Sequence, residues 1–235
     1  MISRWLSIRL VFDRILAVVA GIAVAPAVAV LAMLVRRHDG SRGLIKVKRV
    51  GRDGKMFDMW KIRSMSVQSD DGRAGGAALT ASADNRVTPI GRKIRALHLD
   101  ELPQIYNVAK GQMALLGPRP EAPEFVDIDD AMWREVLSVP PGIAGPTQII
   151  VGDWEKTVID QDEAGGAYMR DVVPVKLAID RWYVTKASPA GDLRVLSSLI
   201  VNALGREARG LKRAVGRAVS ESAAAIGPTV DGSSR

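Results

Sequence analysis

The longest apolar stretch of the chain runs from Ile15 to Val35 and contains no charged residue. As a helix it is about long enough to cross a hydrocarbon layer of ~30 Å, but Pro26 near its middle predicts a kink. Arginines stand on both sides of the stretch, at Arg4, Arg9, Arg14, Arg36, Arg37 and Arg42. Because basic flanks are retained on the cytoplasmic side, we expect a re-entrant anchor that enters and returns. A spanning helix and a cleaved signal peptide are the alternatives.

The pattern after the anchor indicates a β-hairpin. Apolar and basic residues nearly alternate from Ile45 to Val50, and the residues from Met56 to Arg63 can return as a second strand. Asp53-Gly54 lies between them and is typical of a hairpin tip. The hairpin is rich in basic residues, for which phosphate contact and a solvated face are equally good interpretations. The next segment, Ser69 to Asp84, is rich in Gly, Ala, Ser and Asp and predicts a mobile loop.

Helical patterns dominate the remainder of the chain. Thr88-Pro89 predicts a capped helix start, followed by an amphipathic basic helix that suits either a membrane surface or a core. Asp100 is expected to cap the next helix, with Pro103 in its first turn and Gly111 as its end. The segment 153–166 is predicted to be loose. Further helices are expected at 125–137, 173–186 and 190–204.

Composition limits the classes of function. A chain of 235 residues suits one domain with extensions, and the absence of cysteine excludes disulfides, thiolate catalysis and thiolate zinc sites. The net charge of +7 and the pI near 9.9 favour an anionic partner, which is a phosphate-bearing ligand, a nucleic acid or an anionic lipid. Aromatic residues are few and no RNA-binding or helix-turn-helix signature is present, so we expect no nucleic acid partner.

The main candidates for catalytic and phosphate-binding residues lie between His98 and Glu121. This stretch contains the adjacent acids Asp100 and Glu101 and then a Gly-Pro-Arg-Pro-Glu turn. Two acids in a first turn are often only caps, and neighbouring helical side chains diverge by about 100°, so the pair does not fit a glycosidase. One acid that attacks while the other holds a metal is compatible with this spacing. The prolines on both sides of Arg119 stiffen it for phosphate binding.

Taken together, these segments resemble one family closely, the bacterial sugar transferases, which are monotopic polyprenol-phosphate phosphoglycosyl transferases. The most specific part is the succession LDELPQ…N…KG…GPRPE, and the matching segments are 49–65, 86–121, 140–149 and 168–204. The resemblance is to the small, catalytic-domain-only type. It implies a mainly helical α+β fold with an N-terminal re-entrant membrane helix, amphipathic surface helices and a small β-hairpin or sheet. The expected divisions are an anchor at 1–38, a catalytic domain at 39–204, and a basic amphipathic helix with a disordered tail at 205–235.

The resemblance also implies a two-step phosphoryl transfer on the cytoplasmic face of the bacterial inner membrane. Asp100 would attack the sugar-linked phosphate of a UDP-sugar, release UMP and hold the phosphosugar until polyprenol (undecaprenyl) phosphate accepts it. Glu101 matches the family's Mg²⁺ ligand. The phosphate- or substrate-binding candidates are Arg95, Arg119 and Asp192, which match family positions, and Gln148, a donor and acceptor in the rigid loop 140–148. The expected partners are the UDP-sugar, the polyprenol phosphate and anionic membrane lipid.

Two positions depart from the family pattern. Ala25-Pro26 stands where the family commonly has Ser-Pro, so a hydroxyl that could bond a carbonyl freed by the proline is missing. Ala144 stands where the family favours threonine. The alternative to an enzyme is a catalytically silent membrane scaffold or ligand-binding module with the same fold, and the intact acidic pair favours the enzyme.

Overall fold

The computed structural model describes residues 4–66, 79–81, 84–162, 166–203 and 216. Helices predominate and are joined by two small two-stranded sheets, which confirms the predicted mainly helical α+β class. Most of the predicted loop at 69–84 and of the predicted basic helix and tail at 205–235 lies outside the described residues.

The apolar N-terminal stretch forms helix α1, Arg4–Asp39, and Pro26 lies inside it rather than at an end. Within the described part of the chain, α1 is the helix that is long and apolar enough to cross a membrane. One stripe of α1 packs against the rest of the protein, and its spacing of three or four residues keeps it on one helical face. Apolar members of this stripe are Leu6, Ala17, Val28 and Val35. Most of the other apolar side chains of α1 are exposed.

The predicted β-hairpin is confirmed. Strand β1, Leu44–Val50, pairs antiparallel with β2, Met56–Ile62, in a register that places Val50 opposite Met56. The tip is a 3₁₀ turn in which Asp53 and Gly54 have φ angles of 56° and 73°. Asp and Gly tolerate this left-handed conformation better than most residues, so the predicted tip residues are those that the turn requires.

Helix α2, Pro89–Ala96, begins where the sequence predicts, because the Thr88 side chain accepts a hydrogen bond from the Gly91 N–H at 3.0 Å. Its apolar side packs against the second half of α1, where Ile94 joins a buried cluster with Val28, Val35 and Ile62. The sequence left open whether this helix lies on a membrane surface or against the core. Its apolar residues Ile90 and Ile94 pack against the core.

The prediction that Asp100 caps a helix is wrong. Asp100 lies in a 3₁₀ turn, Leu99–Glu101, that follows His98 in the left-handed region with φ of 53°. Helix α3, Gln104–Ala109, begins only after this turn, and its cap position is Pro103. The early turn leaves the Asp100 carboxylate free to bond a lysine side chain instead of the helix backbone. Gly111, with φ of 73°, follows α3 as predicted.

The second sheet is parallel and small. Strand β3, Ala114–Leu116, pairs with β4, Gly142–Ala144, with Ala114 opposite Gly142 and Leu116 opposite Ala144. The turn that contains Arg119 follows β3 directly, and the helix that contains Gln148 begins at Pro146, shortly after β4. The sheet therefore brings this turn and the start of this helix to the same edge.

The described part of the C-terminal half contains five helices, which pack in two clusters, one with Trp133 and Tyr168 and one with Ile149 and Val195. The helices are α4 Ala131–Val136, α5 Pro146–Ile150, α6 Gly152–Gln161, α7 Val173–Thr185 and α8 Pro189–Ala203. The predicted helices at 173–186 and 190–204 are confirmed as α7, which follows a π-helical turn at Tyr168–Val172, and α8.

Two predictions in this half are wrong. The helix expected at 125–137 begins only at Ala131, because the Asp130 side chain accepts hydrogen bonds from the backbone of Met132 and Trp133 and so caps a later start. The segment 153–166, expected to be loose, is largely helix α6. Its polar composition conceals a helix that buries Ile159 in the core.

Candidate active site

Two acids and two cations meet between the hairpin and the turn that follows β3. The Lys61 Nζ lies 3.3 Å from the Asp100 Oδ2 and 3.6 Å from the Glu101 Oε1. On the other side, the Arg119 Nη2 donates to the Glu101 Oε1 at 2.6 Å. We call Lys61, Asp100, Glu101 and Arg119 the active-site cluster. It joins three of the predicted site residues to Lys61, a basic hairpin residue for which the sequence leaves phosphate contact and a solvated face open.

Asn107 holds the hairpin beside the acidic pair. Its fully buried amide accepts from the Trp60 N–H at 3.0 Å and donates to the Asp58 carbonyl at 2.8 Å and the Gln112 Oε1 at 2.9 Å. A side-chain amide with these bonds replaces a neighbouring strand along β2. Lys61 follows Trp60 directly, so Asn107 fixes the position from which Lys61 reaches Asp100.

Backbone hydrogen bonds hold the arginine turn at both ends. The Gly142 N–H donates to the Pro118 carbonyl at 2.8 Å, and the Val50 N–H donates to the Glu121 carbonyl at 3.1 Å. Between these bonds, Pro118 and Pro120 restrict the backbone of Arg119. The guanidinium is therefore presented with few alternative conformations, as the sequence predicts.

The electrostatics of the cluster favour an ionised Glu101. Burial alone would raise the pKa of Glu101, but the charges of Arg119 and Lys61 outweigh burial and lower it to about 2. The reciprocal attraction of Glu101 raises the pKa of Arg119. The carboxylates are about one tenth exposed, whereas 31% of the Arg119 side chain and 21% of the Lys61 side chain are accessible. The cations therefore form the open side of the site, where an anionic ligand can share them.

The other three predicted site residues are not joined to the acidic pair. Among the described residues, Arg95 forms no hydrogen bond or ion pair with Asp100 or Glu101, and its charge instead helps to lower the pKa of Asp84. The Gln148 Oε1 accepts from the Gly145 N–H at 2.8 Å and thus stabilises the start of α5.

Asp192 lies at the start of α8, in a contact with the anchor helix. Its carboxylate accepts from the Arg9 guanidinium at 2.9 Å, the Tyr183 hydroxyl at 2.6 Å and the Trp5 indole at 2.8 Å. These three donors surround a carboxylate in a residue that is only 7% exposed. In this structure Asp192 therefore binds groups of α1 and α7.

A second charged cluster lies beneath the arginine turn, and sequence reasoning missed it. The Lys176 Nζ lies 2.5 Å from Glu121, 2.9 Å from Glu155 and 2.8 Å from the Tyr168 hydroxyl. We call Glu121, Glu155, Tyr168 and Lys176 the Lys176 cluster. Its members come from the arginine turn, α6, the π-helical turn and α7, so no local sequence pattern connects them. Burial would lower the pKa of Lys176, but the charge of Glu121 and its neighbours raises it.

The acidic pair is compatible with magnesium. In the parts of the chain that the structure describes, no group of three or more His, Cys, Asp or Glu side chains could form a metal cage. Magnesium does not require one, because it commonly binds one or two carboxylates and completes its shell with substrate phosphates and water. Glu101 with Asp100 beside it supplies that donor set. The assignment of Glu101 as the Mg²⁺ ligand stays a prediction.

Comparison with known proteins identifies a family that includes the residues of this site. A model of the bacterial sugar transferase family matches residues 4–206. A putative undecaprenyl-phosphate N-acetylgalactosaminyl 1-phosphate transferase of Bacillus subtilis (strain 168) is 40% identical over 126 residues, which are 53% of this chain and 68% of that protein. The UDP-N-acetylgalactosamine-undecaprenyl-phosphate N-acetylgalactosaminephosphotransferase of Aeromonas hydrophila is 37% identical over 60% of this chain. An undecaprenyl-phosphate glucose phosphotransferase of Komagataeibacter xylinus is 37% identical over 79% of this chain.

The matched part is a different fraction of each relative. It covers about two thirds of the Bacillus protein, but only 33% of the Aeromonas protein and 34% of the Komagataeibacter protein. The similarity to those two longer proteins is thus confined to about a third of their length.

Proposed function

The chain belongs to the bacterial sugar transferase family, and we propose that it moves a sugar 1-phosphate from a UDP-sugar to polyprenol (undecaprenyl) phosphate and releases UMP. The observation that carries the proposal is the Asp100–Glu101 pair, which contacts Lys61 and Arg119. The names of the relatives, which include undecaprenyl-phosphate transferases for N-acetylgalactosamine and for glucose, support the same reaction class. Such transfers begin the membrane stage of exopolysaccharide or glycoconjugate synthesis.

Asp100 is the proposed nucleophile. Its carboxylate oxygen attacks the sugar-linked phosphorus of the UDP-sugar, the bond from that phosphorus to the UMP oxygen breaks, and UMP leaves with the electron pair. The product is an aspartyl phosphosugar. An oxygen of polyprenol phosphate then attacks the same phosphorus, and Asp100 is released as a carboxylate. A covalent intermediate divides one difficult transfer into two easier ones.

Lys61 and Arg119 stabilise the phosphoryl group in this scheme. Charge spreads over the phosphoryl oxygens in the transition state, so cations that are already in place lower its free energy without rearrangement. Both cations lie on the accessible side of the acidic pair, which is where a diphosphate would approach. Both cations also lower the pKa of Glu101 against the effect of burial, so this carboxylate is ionised before the substrate arrives.

Magnesium is the proposed cofactor, and Glu101 is the residue that would hold it. When bound, the ion supplies charge neutralisation for the diphosphate. Glu101→Gln keeps the shape of the side chain but removes its charge, so we expect a higher magnesium concentration for half-maximal activity. Titration of UMP release with Mg²⁺ tests this, and a variant with the wild-type titration curve would contradict the assignment.

The contacts of α1 support a location on one face of the membrane. Its first turns contact β3 and α8, its middle packs on α3, and its last turns pack on α2. A straight crossing of a ~30 Å layer would carry one end away from the catalytic domain, yet both ends contact that domain. We therefore propose that α1 enters the cytoplasmic leaflet of the inner membrane without crossing it.

Exposed apolar side chains on the outer side of α1 and on α8 would face the lipid. The net charge of +7 favours a leaflet with anionic lipid. The exposed residues include Ile15, Ile22 and Met33 of α1 and Leu193, Leu196 and Ile200 of α8.

The function is tested with the full chain purified in detergent. The protein is incubated with Mg²⁺, undecaprenyl phosphate and a panel that contains UDP-glucose and UDP-N-acetylgalactosamine, and UMP release is measured. We expect UMP release from at least one UDP-sugar. Multiple turnovers should require undecaprenyl phosphate. Failure with every UDP-sugar, while an active relative releases UMP in parallel, would contradict the proposal.

A further inference from the structure

Two charged residues interrupt the buried stripe of α1. Arg9 and Asp13 are each 7% exposed, although they lie on the face of a largely apolar helix that packs against the protein. Burying a charge is costly unless it is paired and hydrogen-bonded. The positive-inside pattern explains why arginines flank the apolar stretch, but it does not explain an arginine turned inward beside an aspartate.

Both side chains bind the backbone of strand β3. The Arg9 Nη2 donates to the Leu116 carbonyl at 2.7 Å, while its Nη1 bonds Asp192 and the Tyr183 hydroxyl. One turn further along α1, the Asp13 Oδ2 accepts from the Leu115 N–H at 3.1 Å. A donor and an acceptor of α1 thus satisfy an acceptor and a donor of β3.

These bonds supply partners for backbone groups of β3, a strand that the sheet pairs on one side only among the described residues. Strand β3 has β4 as its neighbour, and α1 lies along it elsewhere. Buried backbone groups must find partners, and a buried group without one costs about 1–3 kcal/mol. Arg9 and Asp13 therefore act as a second neighbour for β3. Their two bonds fix the position of α1 along this strand.

The strand leads straight to the catalytic turn. Leu116 precedes Arg119 by three residues, and the intervening Gly117 and Pro118 are bonded to Ala144 and Gly142 at 2.9 and 2.8 Å. The backbone between β3 and Arg119 is held by β4 on the side away from α1. A shift of β3 would therefore move Arg119 as well. At the end of this path the Arg119 Nη2 donates to the Glu101 Oε1 at 2.6 Å.

We propose that Arg9 and Asp13 are positioning residues that set Arg119 against Glu101, so that the anchor helix is a working part of the active site. The inference rests on the proposed function for its kinetic test. It differs from a simple anchoring role, in which the two residues would only hold α1 to the protein and the state of β3 would not matter to turnover.

Two variants separate these roles. Asp13→Leu removes the acceptor for the Leu115 N–H without leaving an unpaired charge. Arg9→Lys keeps the ion pair with Asp192, but one ammonium group cannot reproduce the fork that also reaches the Leu116 carbonyl. The matched control is Arg36→Met, which changes an exposed arginine near the other end of the same helix. High-salt washing of membranes checks that every variant remains inserted.

Two measurements decide the inference. Backbone amide exchange of the full-length protein should become about tenfold faster at Leu115 in Asp13→Leu. In both variants kcat for UMP release should fall about tenfold or more, because a small misplacement of a catalytic group is costly. The KM for undecaprenyl phosphate and retention in washed membranes should stay close to wild type. Arg36→Met should change none of these values.

Different failures have different meanings. If exchange at Leu115 is unchanged in Asp13→Leu, α1 does not hold β3 and the inference is wrong. If exchange rises but kcat is unchanged, α1 holds β3 without positioning Arg119, which also overturns it. If the wild type releases no UMP, the proposed function fails, and the exchange measurement alone then decides whether α1 controls the strand that carries the arginine turn.

Discussion

The active-site cluster and the Lys176 cluster use the same kinds of side chain for different purposes. Each combines two carboxylates with a lysine, and each is joined to the turn from Pro118 to Glu121. Arg119 extends from this turn to the active-site cluster, and Glu121 extends from it to the Lys176 cluster. One short turn therefore connects a site that we propose binds substrate to a network buried in the core.

The two clusters differ in the exposure of their cations. The side chain of Lys176 is 5% exposed, whereas those of Lys61 and Arg119 are 21% and 31% exposed. Lys176 is already bonded by two carboxylates and a hydroxyl, so it has little capacity for a ligand. Lys61 and Arg119 retain accessible donors. A buried charge network is weak evidence for catalysis, and accessibility is what distinguishes the two.

The largest expected effect separates the clusters by activity. Asp100→Asn removes the proposed nucleophile but preserves the shape of the side chain, so UMP release should fall by roughly 10³-fold or more. Any covalent phosphosugar adduct should disappear from the intact-mass spectrum. The thermal unfolding midpoint should change little, because the site remains open to solvent on its cationic side.

The matched control for this change is Asp53→Asn at the hairpin tip. Its side chain is 58% exposed, and asparagine tolerates the same left-handed conformation. UMP release should stay close to wild type. An Asp100→Asn variant that is as active as this control, or that still forms the adduct, would remove Asp100 from its proposed role.

The next effect concerns the stability of the Lys176 cluster. Lys176→Met fills a similar volume but leaves Glu121 and Glu155 close together without their cation. Removing one partner of a buried ionic network costs about 3–5 kcal/mol in the free energy of unfolding. We expect a loss of this size in thermal or denaturant unfolding. Adding Glu121→Gln should recover part of it, because one of the uncompensated charges is then gone.

An exposed ion pair between α7 and α4 provides the comparison. Arg181 bonds Glu135 at 2.6 Å, and both side chains are more than a third exposed. Solvent screens such pairs, so Arg181→Met should cost less than about 1 kcal/mol. Equal losses from Lys176→Met and Arg181→Met would mean that burial does not make the Lys176 cluster important for stability.

The sequence predicted the parts of the site that are local in the chain. The acidic pair, the stiffened Arg119 and the Asp53-Gly54 hairpin tip each depend on neighbouring residues. The sequence marks Lys61 only as one basic residue of the hairpin, because its contact with Asp100 requires Asn107 to hold the hairpin beside α3. Residue spacing carries no information about such a contact across 39 positions.

The errors in the fold have similar causes. For Arg9 the sequence indicates only a basic flank, because a charge before an apolar run carries no information about the strand that it contacts more than 100 residues later. The start of α4 was placed too early because apolar spacing continues back to Phe125, while the Asp130 cap decides where the helix begins. Helix α6 was missed because few apolar residues mark its buried side.

The smallest expected effect concerns Asp180, a buried acid beside the Lys176 cluster. Asp180 is 5% exposed, and burial raises its pKa well above the ordinary value. An acid whose pKa is raised by folding binds its proton more tightly in the folded state. Its ionisation in the unfolded chain therefore lowers stability as pH rises from about 4 toward the folded pKa.

Asp180→Asn resembles the protonated acid and should be free of this loss. We expect its stability to equal the wild type within about 1 kcal/mol near pH 4 and to exceed it at pH 7. Chemical unfolding of both proteins across this range measures the difference. A variant that is less stable than wild type at pH 7 would mean that Asp180 is ionised and belongs to the charged network.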